Sequence, residues 1–565
     1  MSKRILVVGG VAGGASAAAR ARRLDESAEV IMFERGPHVS FSNCALPFHL
    51  SGMVEKSDDL VLISPEEFKN KYNIEARTRN EVISIKREQK KIVVKDLEKD
   101  EEYEEEYDKL ILSPGAQPIL PDSIPGIDRE NVFTVRNVQD IRRLKGYLDE
   151  NDIADVAVVG AGFIGIEVAE NLHLDGKNVS LVEALDQVMQ PFDYDMAQIL
   201  HKELYDQGIN LILNDAVAEV GDGYVKLQSA RKIDAEAVVM AIGIDPETKL
   251  AEDAGLEIGE TGGIKVDHNY CTSDEDIYAV GDAIEVYCAI TRNKIRLPLA
   301  GPAQRQARAA ADHINNIPHS HKGVIGSSVV KVFDLNAAST GINARDAKEA
   351  GIPHDFVYII PDDKVGLMPG SNPLHLKVLY EYPTGKILGA QAIGKGEVDK
   401  RIDVIAALIR MDGTLEDLKE MELCYAPLFA TAKDAVNHAA LVGLNLLHGR
   451  FEQVPVTEVR ELVENDAFIV DVREKDEFAA GHLKNEVNIP LSELRDRVDE
   501  IPEDEPVYLH CRSAQRSYNA IMALQDMGYD NLYNISGSFM GVCYYEYYRD
   551  QVTDREKIVT EYNFI

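Results

Sequence analysis

The stretch DVAVVGAGFIG, Asp155 to Gly165, decides how the chain is read. Five strand-type residues, Asp155–Val159, run into Gly160-Ala161-Gly162-Phe163-Ile164-Gly165, and a helical run, Ile166–Leu174, follows. A parallel strand that delivers a glycine turn to a helix N-terminus gathers free N–H groups and the positive end of the helix dipole at one spot, where a pyrophosphate fits. The strand Asn178–Glu183 comes next. Glu183 lies 23 residues past Gly160, close to the spacing of a ribose-binding carboxylate. Ala184 and Leu185 follow it, not a cation, so NADH is favoured over NADPH. Gly160, Gly162, Phe163, Ile164, Gly165, Glu183 and Gly243 are the expected NADH contacts.

The N-terminus repeats the pattern. Arg4–Val8 is a strand, Gly9-Gly10-Val11-Ala12-Gly13-Gly14 is the turn, Ala15–Leu24 is an Ala-rich helix, and Glu29–Glu34 is the next strand. Val11 replaces the middle glycine, and Glu34 lies 25 residues past Gly9. Two such units mean two dinucleotide sites. Ser113-Pro114-Gly115 and Gly281-Asp282, each after a short strand, fill out the first site, and Asp282 suits a ribitol hydroxyl. The helix starting near Pro302 can aim its positive end at a flavin pyrimidine. The expected FAD contacts are Gly9, Val11, Ala12, Gly13, Gly14, Glu34, Arg35, Ser113, Pro114, Gly115, Gly281, Asp282 and Ala300.

At 565 residues the chain is too long for one core. Its 60 basic and 96 acidic side chains give a net charge of −36, which disfavours nucleic acid and anionic membranes as partners. No apolar run approaches the ~20 residues of a membrane span. The short apolar start, Ile5–Val8, reads as a buried strand, not a leader. The six cysteines are 44, 271, 288, 424, 511 and 543, with no CxxC pair and no metal-ligand spacing. That favours a reducing, cytoplasmic setting and no bound metal. Cys271, Cys288, Cys424 and Cys543 read as inert.

Cys44 stands out in Ser40-Phe41-Ser42-Asn43-Cys44-Ala45-Leu46-Pro47-Phe48, ten residues past the flavin-site carboxylate Glu34 and with no second thiol nearby. With the two glycine units, this run resembles the two-dinucleotide-binding flavoprotein disulfide reductases over residues 1–450, and within them the coenzyme A-disulfide reductase branch. The resemblance implies an enzyme: a homodimer with FAD, a nicotinamide site, and Cys44 forming a mixed disulfide with coenzyme A. It implies that Ser40, Asn43 and Arg23 contact coenzyme A, that Phe163 gates the flavin, and that Tyr425, in Cys424-Tyr425-Ala426-Pro427, reaches the sulfur across the dimer. Oxygen- and peroxide-reducing relatives carry a His in the first turn, where this chain has Ala12. The branch's Tyr-Tyr-Pro-Gly run is Leu367-Met368-Pro369-Gly370 here, so one candidate proton donor is gone. A departing hydrosulfide needs less help than an alkyl thiolate, which leans the reading toward persulfide.

The C-terminal residues resemble the rhodanese fold through Asp471-Val472-Arg473-Glu474, Gly481-His482-Leu483 and Asn488-Ile489-Pro490-Leu491. The loop Cys511-Arg512-Ser513-Ala514-Gln515-Arg516 follows a strand and opens a helix, so its amides can converge on the sulfur. Arg512, Arg516 and the helix dipole are expected to lower the Cys511 pKa. The related phosphatases use a Cys-x5-Arg loop, and the shorter Cys-x4-Arg spacing here favours sulfur transfer.

The expected fold is α/β: two Rossmann-like dinucleotide-binding domains, an α+β dimerisation domain and a rhodanese-like α/β domain. The segments are FAD-binding 1–150 and 273–323, NAD-binding 151–272, dimerisation 324–448, linker 449–454, rhodanese-like 455–550 and tail 551–565. The expected activity is NADH-dependent reduction of coenzyme A persulfide, coenzyme A disulfide or polysulfide at Cys44. Cys511 delivers sulfane sulfur, and hydrogen sulfide or coenzyme A is released. The alternatives are an NADH oxidase or peroxidase cycling Cys44 through sulfenic acid, and a non-catalytic sulfur-relay or redox-sensing protein.

Overall fold

Ile5–Val8 and Val30–Phe33 are apolar at every position, which suits strands covered on both faces, and all eight residues are buried. They lie in a parallel five-stranded sheet ordered Ile277–Ala279, Lys109–Leu112, Arg4–Val8, Glu29–Glu34, Glu75–Thr78. The computed structural model describes residues 3–319 and 322–564. It falls into two units, residues 1–184 with 212–324 and residues 185–211 with 325–565.

In the first unit, the helices Ala12–Leu24 and Ala300–Ile314 pack together beside this sheet. Buried alanines, among them Ala17, Ala21, Ala307 and Ala310, keep the two close. A second parallel set runs Asn178–Val182, Asp155–Val159, Ala237–Met240, Val132–Phe133. The chain crosses between the two sheets twice, through Ala116–Pro118 and Ile244–Pro246, which pair antiparallel. The acidic run Glu101–Glu106 is a hairpin edge, paired antiparallel with Lys91–Asp96.

Both glycine-turn helices start three residues earlier than expected, at Ala12 and Phe163. The end of each turn is already helical: Ala15 N–H donates to Val11 O at 2.9 Å and Ile166 N–H to Gly162 O at 3.0 Å. The segment edges move too. Val132–Phe133, ahead of residue 151, pairs with the second sheet. Ala251, Leu256, Ile264 and Tyr270, ahead of residue 273, join the core of the first.

The second unit holds an antiparallel sheet ordered Ser328–Val332, Leu335–Gly341, Ile387–Gly394, Leu374–Glu381, His354–Ile359. The helix Val398–Arg410 packs on it. The helix Ala435–Leu447 comes next. Asp434 caps it, accepting from Val436 N–H at 3.3 Å, and is held by buried Arg401 at 3.2 Å. A parallel sheet follows, ordered Glu452–Val454, Leu532–Ile535, Val507–His510, Phe468–Asp471, Val487–Asn488. Its first strand is the segment expected as a linker; three residues of edge strand carry no readable periodicity. The expected tail also packs: Val559 bridges Leu483, and the Tyr562 and Phe564 rings lie 5.2 and 5.3 Å from Tyr547.

The helix Tyr194–Asp206, placed by sequence in the second nucleotide domain, belongs to this unit. Lys377 Nζ lies 3.0 Å from Asp193 and 2.8 Å from Asp195, all three buried side chains. Tyr194 and His201 pack edge-on against Tyr545 and Tyr548 of the helix Ser538–Val552.

Candidate active site

The two glycine turns share one construction. A Cβ on Gly14 would lie 1.8 Å from Gly9 O, and one on Gly165 would lie 1.8 Å from Gly160 O, so each helix N-terminus is pressed onto its strand end. Nothing lies within 4 Å of where a Gly162 Cβ would be, leaving that side open for a phosphate. Glu34 Oε2 accepts from Gly10 N–H at 2.9 Å, and Glu183 Oε2 accepts from Ala161 N–H at 2.8 Å. The helices from Ala12, Phe163 and Ala300 have no side-chain N-cap and no acidic residue in their first turn. Their N–H groups and dipoles therefore stay available to an anion. This donor chemistry fits dinucleotides at both turns.

Further FAD-site expectations gather here. Gly281 N–H donates to Gln306 Oε1 at 2.8 Å, tying the Asp282 turn to the helix from Ala300. Gly13 lies against Ser113, whose Oγ would sit 2.6 Å from a Cβ there. Arg35 is instead bound to Glu247 at 2.5 Å, and Glu247 also holds Arg136 at 2.6 Å. On the nicotinamide side, Gly243 has φ +136° and its carbonyl accepts from Ile119 N–H at 3.0 Å.

The Cys44 loop is stitched to the first turn. Ser40 N–H donates to Gly10 O at 2.8 Å, Ser42 N–H to Leu60 O at 2.9 Å, and Leu62 N–H to Ser40 O at 2.8 Å. Ser40 holds φ +48°, an uncommon conformation for a non-glycine residue. Cys44 sits exposed in the 3₁₀ turn Asn43–Ala45, and a second turn, Pro47–His49, packs against the helix Phe163–Leu174. Ser51 Oγ donates to Asn171 Oδ1 of that helix at 2.6 Å. The helix that opens at the second glycine turn thus braces the loop that carries the thiol.

This packing puts acids around Cys44. Partial burial pushes its thiol pKa up, and the Glu167 and Asp282 carboxylates push it further. Glu167 is raised to about 7 by burial, with Glu170 adding repulsion. Asp282 is raised by burial, against the pull of Arg136. Glu167 was not among the residues singled out from sequence. Its signal is a pair of acids, Glu167 and Glu170, in a helix whose other residues are mostly apolar and buried.

Of the expected coenzyme A contacts, Ser40 and Asn43 share the Cys44 loop. Arg23 is exposed at the far end of the helix from Ala12, roughly 17 Å along its axis. Its neighbour Arg22 is buried and structural, donating to Glu26 O and Asn73 O at 2.8 Å each. Tyr425 lies in the second unit, half exposed among Cys424, Leu428 and Phe429.

Cys511, in the second unit, ends the strand Val507–His510 and is buried. Ala514, at φ +73°, caps the helix Gln515–Asp526. Burial alone would raise the Cys511 pKa. The N–H groups of Ser517 and Ser513, the Ser517 hydroxyl 3.8 Å away and the Arg516 charge bring it below the ordinary thiol value. The converging amides act on the sulfur ahead of the Arg516 charge. Arg516 is held by Glu477 through two bonds of 2.6 and 2.7 Å. Burial carries the Cys543 thiol up to about 12 and that of Cys271 to about 11.

The chain matches the family described as pyridine nucleotide-disulphide oxidoreductase over residues 3–307 and the dimerisation domain of that family over 327–436. It matches the rhodanese-like domain over 455–543. A coenzyme A disulfide reductase of Staphylococcus haemolyticus is 34% identical over 436 residues, 77% of this chain and 98% of that protein. The crystal structure of reduced Bacillus anthracis CoADR-RHD is 42% identical with a TM-score of 0.94, covering 97% of this chain and 98% of that one. A NAD-dependent persulfide reductase from A. fulgidus is 34% identical with a TM-score of 0.91, covering 95% of this chain and 99% of its own.

Proposed function

Because the chain belongs to the pyridine nucleotide-disulphide oxidoreductase family, we propose that it is an FAD-dependent enzyme that uses NADH to reduce the S–S bond of coenzyme A persulfide or coenzyme A disulfide. The observation that carries this reading is the solitary thiol of Cys44 on a loop tied to the first glycine turn and braced by the helix of the second. Its chain-length relatives include the persulfide reductase, and its dedicated rhodanese-like domain favours persulfide or polysulfide over the symmetric disulfide.

Bound FAD and NADH supply the electron pair. The protein supplies the sulfur chemistry. Cys44 thiolate attacks the inner sulfur of coenzyme A persulfide, the S–S bond breaks, and hydrosulfide leaves. The Cys44–coenzyme A mixed disulfide then takes two electrons and one proton, releasing coenzyme A thiol and restoring Cys44 thiolate. With coenzyme A disulfide the first leaving group is a second coenzyme A thiolate. Glu167 is the group near Cys44 suited to hold that proton at neutral pH. Ser40, Asn43 and Arg23 hold coenzyme A, an extended ligand suited to the distance between loop and helix end. Cys511 carries sulfane sulfur, with Arg516 steadying the cradle. Ala12, in the first glycine turn, offers no proton where peroxide-reducing relatives carry a His, which disfavours the peroxidase reading.

The finer assignments follow the same reading. NADH is preferred because a 2′-phosphate would meet the Glu183 carboxylate, which Ala184 and Leu185 follow in the chain where a cation would be needed. The working form is a homodimer, with exposed Leu367, Leu428 and Phe429 as contact surface and Tyr425 serving the partner's Cys44. Six unpaired cysteines suit the cytoplasm. Among the described residues no helix is long and apolar enough to cross a membrane. Intact mass spectrometry after adding coenzyme A disulfide tests the central step: one coenzyme A adduct on Cys44, removed by NADH, is the expected result. An adduct elsewhere, or none, would refute it.

A further inference from the structure

The residue before Cys511 is a fully buried histidine, and the sulfur chemistry above makes no use of it. His510 Nε2 lies 2.5 Å from Glu486 Oε2, and Nδ1 lies 3.2 Å from Cys511 O and 4.0 Å from Asp471 Oδ1. Both ring nitrogens therefore face acceptors, an arrangement that calls for two N–H groups, hence an imidazolium. Every other charge facing the ring is matched. Arg473 takes both Asp471 oxygens, Nε donating to Oδ1 at 3.1 Å and Nη2 to Oδ2 at 2.7 Å, and Glu486 Oε1 accepts from Leu483 N–H at 3.0 Å. Phe539, from the helix Ser538–Val552, closes the remaining side with an apolar face.

Asp471, Glu486 and His510 bring three ligand-type atoms within 4.8 Å of one another. With Arg473 already on Asp471, they form an ion-pair network and not a metal site. The network has a direction. Glu486 sits on the Nε2 side of the ring and Cys511 on the Nδ1 side, so the His510–Glu486 pair is a dipole with its positive end toward the cysteine. Cys511 O also accepts from Phe539 N–H at 3.1 Å, and Cys511 N–H donates to Ser538 Oγ at 3.1 Å. The imidazolium is thus one of the few groups fixing the first residue of the cradle.

We propose that His510 is a positioning residue for Cys511, an imidazolium clamped by Glu486 that fixes the cysteine backbone and favours its thiolate. Burial alone would lower the His510 pKa, but Glu486 and Asp471 carry it to about 9, so the charge persists through neutral pH. The inference rests on reading Cys511 as a sulfur carrier.

Alkylation of Cys511 by iodoacetamide, followed by mass spectrometry of its peptide across pH in the full-length holoenzyme, tests it. Glu486→Gln, His510→Gln and the double variant are each expected to raise the pH midpoint by about one unit. The double variant should move it no further than either single one, because all three remove the same dipole. A midpoint within about 0.2 unit of wild type, or a downward shift, would overturn the role. Should His510→Gln fail to fold, Glu486→Gln keeps the shape and decides alone. Persulfide on wild-type Cys511 after thiosulfate treatment tests the carrier reading separately. Its absence would sink that reading while leaving the alkylation result to decide the role of His510.

Discussion

Ser51 and Asn171 join the two halves of the candidate site: the Ser51 hydroxyl donates to Asn171 Oδ1 at 2.6 Å, and Asn171 Nδ2 donates back along its own helix to Glu167 O at 2.8 Å. One short path thus runs from the thiol loop to the acid that faces it.

Ser51→Ala removes that brace while leaving the glycine turns intact. The expected cost is about 1 kcal/mol of local stability. Flavin content should stay at wild-type level while reduction of the Cys44 adduct slows severalfold, as stopped-flow absorbance would show. An unchanged rate would mean the bond does not position the thiol.

Glu167→Gln removes the acid with the raised pKa. Ionised Glu167 holds the Cys44 pKa up, so the variant's Cys44 alkylation midpoint should fall, by about half a unit or more. In wild type, Glu167 is protonated below about 7 and ionised above it, and the step this places in the pH–rate profile should vanish in the variant. A midpoint that rises would contradict the geometry.

Lys377→Met leaves Asp193 and Asp195 buried without their cation. Removing one partner of a buried ion pair costs about 3–5 kcal/mol. The melting temperature should fall sharply, and limited proteolysis should open the helix Tyr194–Asp206 first. Melting at the wild-type temperature would show the triad to be dispensable.

The architecture was legible because the glycine turns carry their reason in residue type. Gly14 and Gly165 press against carbonyl oxygens that no side chain could approach, and that demand shows in sequence. The Cys44 and Cys511 loops were legible for a similar reason, since each is a short local run. What escaped depends on contacts far apart in the chain. The helix Tyr194–Asp206 joins the second unit through Lys377, nearly two hundred positions on. His510 meets Glu486 across two strands, and neither residue advertises the other. The start of the helix Ala435–Leu447 is likewise set at a distance, by the ion pair of its cap Asp434 with Arg401.

Anaerobic NADH oxidation with coenzyme A persulfide by the Cys44→Ser holoenzyme is the most direct test. The flavin should remain bound and the turnover should fall by about a thousandfold or more, because the Cys44 thiol is the nucleophile that takes the coenzyme A moiety in this account. Turnover within about tenfold of wild type would contradict the account, for the electrons would then reach the substrate without Cys44.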